Sequence, residues 1–262
     1  MAMRISSPIE TLLVNLGRYV CPIFVKQDIR SRTPHLVGTG TLFQDDDEFY
    51  LITAGHVMKD VGDGQLLIGG DNTFIKFRGD QISWEYKQGE NIAYDICVIR
   101  IHPMVASKLK NFYLFSTPTD ISDLAAYNKL ILYAFLGYPH TKNKPQPSSV
   151  KQVEVKPYYY VLREFLDMRK LRTLDKNPTT HFALSAPFKR ATNINFVRQK
   201  PPEPNGISGG GVWKIELDPE TGLTRSCSLV GIGIEYIREQ NAFVATKIHA
   251  AIYAQLRLKG AS

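Results

Sequence analysis

The chain has 262 residues, of which 44% are hydrophobic and 22% charged, and its net charge is +7 at pH 7. This composition is that of a globular protein with a sizeable core, and it excludes a chain that is disordered throughout. No apolar run approaches the roughly 20 residues of a membrane-spanning helix, and the first residues lack a signal-peptide layout. Its three cysteines are widely spaced and do not suggest a disulfide framework. We therefore expect a cytoplasmic protein without membrane attachment.

The chain divides into five segments. Their residues predict an N-terminal helix, a first group of strands, a linker, a second group of strands and a C-terminal helix. In order, these segments cover residues 1–18, 19–115, 116–128, 129–245 and 246–262. Many short β-rich runs separated by Gly, Asp and Asn turns favour antiparallel barrels or sandwiches. We predict an all-β protein of two antiparallel β-barrels, with short helices at the two ends.

A single serine stands in the glycine-rich stretch 205–211, just after a proline-rich segment. Glycines beside a serine allow tight or left-handed backbone conformations, and they let main-chain N–H groups come close to a substrate. A nucleophilic serine with an oxyanion hole requires both properties. A glycine-rich turn between two strands would have the same sequence, so this stretch alone leaves both interpretations open.

A nucleophilic serine needs a base, usually histidine, and a group that orients the histidine. Among the six histidines, His56 is the candidate, because it follows a β-rich run that ends in small residues and leaves room for a ring to face a cleft. Asp95 is the only acid in the apolar run 94–100. Burying it without a partner would cost several kcal/mol, so we expect it to have one. An Asp that caps a turn at the start of a strand would give the same pattern.

Three short segments, 53–57, 95–100 and 206–210, follow one another in the order His, Asp, Ser. Together they resemble the trypsin-like (chymotrypsin-fold) serine peptidases, above all the bacterial cytosolic or HtrA-like members. Subtilisins and α/β-hydrolases use other orders of the same three residue types. The resemblance covers about residues 19–258 and implies two β-barrels of the chymotrypsin type, with 19–115 carrying the His and Asp and 129–245 carrying the Ser.

The resemblance also implies a role for each matched residue. It implies a serine endopeptidase that cleaves polypeptides through an acyl-enzyme, with Ser208 as the nucleophile. His56 would be the general base and then the acid, and Asp95 would orient and stabilise its imidazolium. The backbone N–H groups of Gly206 and Ser208 would form the oxyanion hole. The substrate-binding surface would include Pro202, Asn205, Ile234, Glu235, Tyr236 and Phe243.

Several positions depart from the pattern of secreted trypsins. Ile207 stands where those enzymes hold an Asp that pairs with a freshly cut N-terminus, so this route of activation is not available. Pro202 replaces the acidic floor of the specificity pocket, and Tyr236 and Phe243 would narrow it. We therefore expect a shallow pocket for a small or medium apolar side chain rather than Lys or Arg. Ile234 replaces a Ser or Thr that supports the orienting Asp in many relatives, so Asp95 is expected to have less support.

The region 163–200 is basic and longer than the family pattern needs. We interpret it as an exposed insertion in the second barrel, and the alternatives are a docking surface for a regulatory protein, a flap over the cleft or a nucleic-acid contact. No nucleic-acid motif is present, so that contact is the least favoured.

The histidines and cysteines lack ligand spacing, so we expect no metal and no other cofactor. Two rivals to an active peptidase remain: a binding or regulatory module that keeps the fold, and a protease that is latent until a partner docks, as in a stress or defence system.

Overall fold

The computed structural model describes residues 8–27, 34–70, 73–77, 94–124, 130–143, 155–163, 165–166, 168–174, 176–186, 201–249 and 252. Within these ranges the chain forms twelve β-strands and four α-helices. The strands are β1 (Val20–Lys26), β2 (His35–Asp45), β3 (Glu48–Ala54), β4 (Gln65–Gly69), β5 (Phe74–Lys76), β6 (Ile96–Ile101), β7 (Ile131–Gly137), β8 (Tyr158–Leu162), β9 (His181–Ser185), β10 (Gly211–Leu217), β11 (Thr224–Ile237) and β12 (Ala242–Lys247). The helices are α1 (Pro8–Leu16), α2 (Gly55–Val61), α3 (Pro103–Leu109) and α4 (Met168–Thr173).

The strands form two six-stranded antiparallel sheets, one in each half of the chain. The first sheet has the order β5-β4-β1-β2-β3-β6 and the second β8-β7-β10-β11-β12-β9. When the strands of each half are counted from one to six, both sheets pair the first strand with the second and the fourth, the fourth with the fifth, and the third with the sixth. The two sheets share these four pairings and differ in the fifth, which is β2 with β3 in the first sheet and β11 with β12 in the second. The predicted two-barrel, chymotrypsin-like fold is confirmed.

Strand β7 shows how the sheets share their cores. All seven of its residues are buried. Successive side chains point to opposite faces of a strand, so both faces of β7 must be covered. Leu132, Ala134 and Leu136 join a cluster that lies between the two sheets. Tyr133 and Phe135 enter the core of the second sheet instead. A further cluster lies mainly in the first sheet and also includes Ile234 and Val244 of the second.

The region 163–200 differs from the exposed insertion that we interpreted from its charge. Its described part includes α4 and β9, and β9 pairs with β12 inside the second sheet. Four of the five β9 residues are buried. The basic residues lie outside this apolar run, and the β-rich residues 182–185 predict it, so the difference concerns only the exposed insertion that the charge of the whole region suggested. Residues 187–200 lie outside the described ranges.

The ends of the chain are described in part. Helix α1 lies inside the segment predicted as the N-terminal helix. Strand β12 runs as far as Lys247, and a helical turn follows at Ile248. Most of the predicted C-terminal helix lies outside the described residues. Among the helices that the structure describes, none has the length and apolar character needed to cross a membrane.

Candidate active site

The ends of two neighbouring strands bring His56 and Asp95 together. β3 and β6 are antiparallel, and the last residue of β3, Ala54, lies opposite the first residue of β6, Ile96. His56 follows β3 in the first turn of α2, and Asp95 directly precedes β6. His56 Nδ1 lies 2.8 Å from Asp95 Oδ2, and the backbone N–H of His56 donates to Asp95 Oδ1 at 2.9 Å. Both carboxylate oxygens of Asp95 therefore bind the same histidine.

The backbone around Asp95 is fixed from both sheets. Asp95 has a φ of 42°, which places it in the left-handed region that few residues other than glycine adopt. Its carbonyl accepts a hydrogen bond from Gly55 N at 3.0 Å, and the preceding carbonyl, of Tyr94, accepts one from Thr246 Oγ1 at 2.6 Å. Thr246 belongs to β12 of the second sheet. Asp95 thus has support that we did not predict, although Ile234 is apolar.

The charge of Asp95 makes His56 more basic. Burial lowers the pKa of His56, but the hydrogen bond and the negative charge of Asp95 raise it and outweigh the burial. The charges of Asp60 and Glu235 act in the same direction. The pKa of His56 therefore lies above its ordinary value, which suits an imidazole that has to accept a proton near neutral pH.

Ser208 lies in the turn that precedes β10, against the first sheet. Its carbonyl accepts a hydrogen bond from Thr39 N at 2.8 Å. A Cβ added to Gly38 would lie 2.6 Å from Val57 Cγ1 and 3.2 Å from the Ser208 carbonyl oxygen. Ser208 is therefore a close neighbour of the helix turn that carries His56. Among the described residues, the Ser208 hydroxyl has no hydrogen-bond partner.

The peptide group between Asn205 and Gly206 has a defined orientation. The carbonyl of Asn205 accepts a hydrogen bond from His140 N at 2.7 Å. In a trans peptide the N–H points opposite to the C=O, so the N–H of Gly206 points away from His140 N. Gly206 has a φ of 95°, and an added Cβ would lie 2.2 Å from His140 Cδ2. Glycine is therefore required here, and in the described part of the chain its N–H has no acceptor.

The N–H of Ser208 is oriented in the same way. The carbonyl of Ile207 accepts a hydrogen bond from Gly210 N at 2.9 Å. The N–H of Ser208, at the other end of that peptide group, points away from Gly210. It too lacks an acceptor within the described residues. The turn therefore contains two backbone N–H groups, two residues apart, that have no acceptor within the described part of the chain.

Aromatic rings fill the space beside this turn. Phe243 on β12 is 1% exposed, and its ring centroid lies 4.6 Å from that of Phe135 and 4.9 Å from those of Tyr160 and Tyr236. The hydroxyl of Tyr160 donates to the carbonyl of Pro202 at 3.0 Å. Of the predicted substrate-binding residues, Pro202, Tyr236 and Phe243 therefore belong to one packed aromatic group.

The other predicted substrate-binding residues differ in their surroundings. Asn205 is exposed, whereas Ile234 is fully buried in the cluster that lies mainly in the first sheet. Glu235 is partly exposed, and its Oε1 lies 2.6 Å from Lys176 Nζ. Glu235 also raises the pKa of His56, so this carboxylate lies within electrostatic range of the His–Asp pair.

The cysteines lie outside this arrangement. Burial raises the pKa of Cys97 and of Cys227 to about 12, and it raises that of Cys21 as well. These thiols are protonated at neutral pH, and the thiolate is the reactive form. Groups of three or more His, Cys, Asp or Glu side chains that could hold a metal ion are absent from the described residues.

Three threonines of the first sheet contribute contacts that the sequence analysis missed. Thr39 and Thr41 on β2 donate from Oγ1 to the carbonyls of Gly206 and Gly209, at 2.9 and 3.0 Å. Thr53 on β3 donates from Oγ1 to the carbonyl of Thr39 at 2.7 Å. All three threonines are fully buried. The signal in the sequence is the alternation of Gly and Thr at 38–41, which places hydroxyl groups in a strand otherwise suited to burial.

Comparison with known proteins gives a structural likeness only. No protein-family model and no curated protein sequence matches the chain. The crystal structure of tobacco vein mottling virus protease is similar with a TM-score of 0.46 and 12% sequence identity, over 94% of this chain and 82% of the viral one. The fold is chymotrypsin-like. That assignment rests on the strand pairing repeated in the two sheets.

Proposed function

We propose that the chain is a serine endopeptidase that cleaves polypeptides through an acyl-enzyme on Ser208. The observation that carries the proposal is the His56–Asp95 pair, joined by two hydrogen bonds at 2.8 and 2.9 Å. It lies beside a serine turn whose Gly206 and Ser208 N–H groups have no acceptor among the described residues. A packing role for these residues would not need a histidine with a raised pKa next to such a turn. The arrangement matches what acyl transfer requires: a base, an orienting carboxylate and donors for a developing oxyanion.

In the proposed mechanism, His56 Nε2 takes the proton of Ser208 Oγ as this oxygen attacks the scissile carbonyl carbon. The carbonyl oxygen becomes an oxyanion, which accepts hydrogen bonds from the N–H groups of Gly206 and Ser208. Each such donor contributes about 3 kcal/mol in the transition state. His56 then gives the proton to the leaving amine as the C–N bond breaks. The same steps, with water as the nucleophile, release the acyl group and return the proton to Ser208.

Asp95 stays ionised throughout this cycle. Its Oδ2 accepts the Nδ1–H of His56, which leaves Nε2 free to act on Ser208. Its negative charge stabilises the imidazolium that forms in each half of the reaction. The hydrogen bond between Ser208 and His56 forms when substrate binds, since such contacts are often long before the Michaelis complex.

Two observations favour serine over cysteine as the nucleophile. The residue between the two oriented peptide groups is Ser208, and a thiol does not occupy this position. All three cysteines of the chain carry thiols whose pKa is raised by burial. A buried, protonated thiol is a poor nucleophile.

The aromatic group beside the turn supports a preference for small or medium apolar side chains in the residue before the scissile bond. Phe243 and Tyr160 occupy the space that a deep specificity pocket would need, and they pack at a centroid distance of 4.9 Å. The predicted floor of the specificity pocket is Pro202, which has no carboxylate and whose carbonyl already accepts a hydrogen bond from the Tyr160 hydroxyl. A Lys or Arg side chain would find neither depth nor a counter-charge there.

The proposal is tested by digestion of a peptide library with the purified protein, followed by mass spectrometry of the new N-termini. The wild type should produce cleavages that are absent with Ser208→Ala and with His56→Ala, and these cleavages should follow small or apolar residues. Cleavage by the wild type and Ser208→Ala alike would contradict the proposal. An intact library would favour the binding or latent alternatives, and strong cleavage after Lys or Arg would refute the stated preference.

A further inference from the structure

Thr39 lies where the second sheet meets the first, and its N–H, its carbonyl and its hydroxyl all form hydrogen bonds there. The ladder between β2 and β3 ends at the pair Thr41 and Ile52. Two residues before Thr41 in the chain, Thr39 N donates to Ser208 O at 2.8 Å. At this point the serine turn takes the place of β3 as the backbone hydrogen-bond partner of β2. Thr39 O accepts from Thr53 Oγ1 at 2.7 Å. Thr39 is 0% exposed, so these bonds are shielded from water.

The hydroxyl of Thr39 joins two parts of the second sheet. It donates to the carbonyl of Gly206 at 2.9 Å and accepts the N–H of Tyr138 at 2.9 Å. Tyr138 directly follows β7, and two residues later His140 N holds the carbonyl of Asn205. The segment after β7 thus holds the serine turn at two places, once directly and once through the Thr39 hydroxyl.

These contacts bear on the direction of the Gly206 N–H. Gly206 lies between two peptide groups, and its own φ and ψ are the least restricted of any residue type. The peptide group before it is held by His140 N and the one after it by the Thr39 hydroxyl. With both planes held, the N–H of Gly206 cannot turn away without breaking one of these hydrogen bonds, of which the one to Thr39 is partly buried.

We propose that Thr39 is a positioning residue that sets the oxyanion turn from the first sheet while the protein is at rest. The inference rests on the proposed function, since it concerns the same acyl-transfer site. It implies that the turn is ready for reaction without an ion pair to a cut N-terminus and without a docked partner. Thr39 acts through Gly206 and does not touch substrate.

The test compares hydroxyl-free and hydroxyl-bearing variants of this residue. Thr39→Val has nearly the shape of threonine but lacks the hydroxyl, and Thr39→Ala is a second hydroxyl-free variant for the case that the valine variant folds poorly. Thr39→Ser keeps the hydroxyl and is the rescue variant. Ser116→Ala is the matched control, because Ser116 is fully buried and its hydroxyl donates to Leu42 O at 2.8 Å, away from the serine turn.

The measurement is the second-order rate constant for labelling by a fluorophosphonate–rhodamine probe over a series of pH values. Urea unfolding of each variant is measured first, so that labelling is compared only under conditions in which every variant is folded. A donor that is displaced costs about 10²-fold in rate, so both hydroxyl-free variants should be labelled about 10²-fold more slowly than the wild type. Thr39→Ser and Ser116→Ala should keep most of the wild-type rate. The pH midpoint should be the same in all variants, because His56 and Asp95 are untouched.

The inference is overturned if the hydroxyl-free variants are labelled at the wild-type rate, or if Thr39→Ser is as slow as they are. It is also overturned if Ser116→Ala slows labelling equally, since the loss of any buried hydroxyl would then explain the effect. A shifted pH midpoint would indicate a general distortion of the site instead of a displaced donor. Failure of the wild type to be labelled counts against the proposed function itself, and the inference would fall with it.

Discussion

Replacing Ile207 by alanine removes the apolar side chain that anchors the serine turn in the second sheet. Ile207 is 2% exposed and belongs to the core of that sheet. Deletion of buried methyl and methylene groups at such a site costs about 2–5 kcal/mol. The surroundings favour the upper half of this range, because β7 is paired on both sides and cannot move in to fill the cavity. A Cβ added to Gly137 of β7 would lie 2.8 Å from Ile207 Cβ, so the contact is already close.

Urea unfolding measures this cost, and fluorophosphonate labelling measures its effect on the turn. Ile207→Val should cost about 0.5–1.5 kcal/mol and Val14→Ala, at a 61% exposed position, less than about 0.5 kcal/mol. Labelling of Ile207→Ala should be slower than that of the wild type under conditions in which both are folded, since the peptide groups on either side of Ile207 lose their anchor. A cost below about 1 kcal/mol with unchanged labelling would refute the claim that this side chain holds the turn.

Three further predictions concern the reaction. Asp95→Asn should lower turnover by up to about 10⁴-fold, as for the corresponding change in the well-studied serine triad, and an unchanged rate would remove Asp95 from the mechanism. The acidic limb of the pH–rate profile should have its midpoint above the ordinary pKa of histidine, because His56 has to be neutral and its pKa is raised; Asp95→Asn should move the midpoint down, since the hydrogen bond and charge of Asp95 are then lost and only the weaker effects of Asp60 and Glu235 oppose burial. Phe243→Ala should cost about 3–5 kcal/mol of stability and extend cleavage to larger apolar residues, and an unaltered preference would separate Phe243 from the pocket.

The raised pKa of His56 also affects stability. A group whose pKa is higher in the folded than in the unfolded state stabilises the fold fully below the unfolded pKa. This contribution is lost as the pH rises through the folded pKa of His56. The wild type should therefore lose a small amount of stability over the pH range in which it becomes active, and Asp95→Asn should not show this loss.

The sequence predicted the His56–Asp95 pair for a reason that the structure makes explicit. Each residue stands at the end of an apolar run, and these runs become β3 and β6, which are neighbours in the first sheet. An Asp in an apolar run needs a partner, and although the Asp95 side chain is only partly buried, the residue beyond the neighbouring strand supplies one. The pairing of β3 with β6, however, is not visible in the sequence, because strand order is decided by packing of the whole sheet.

The contacts that hold the serine turn and the backbone beside Asp95 could not be predicted in the same way. The bond from Thr39 to Gly206 joins residues 167 positions apart, and the bond from Thr246 to Tyr94 joins residues 152 apart. Both cross from one sheet to the other, so they depend on how the two sheets dock. A local pattern indicates that a buried Thr needs an acceptor, but not which one. In the basic region 163–200, the β-rich residues 182–185 predict strand β9, whereas the exposed-insertion interpretation, drawn from the charge of the whole region, does not fit its described part.

The most direct test of the proposed function is to locate the adduct that a fluorophosphonate forms with the protein. Intact mass and tandem mass spectrometry of the labelled wild type should show one probe group on Ser208 of the peptide that contains 205–211. Ser208→Ala should take up no probe, and His56→Ala should take it up far more slowly. An adduct on any other residue, or equal labelling of wild type and Ser208→Ala, would contradict the assignment of Ser208 as the activated nucleophile.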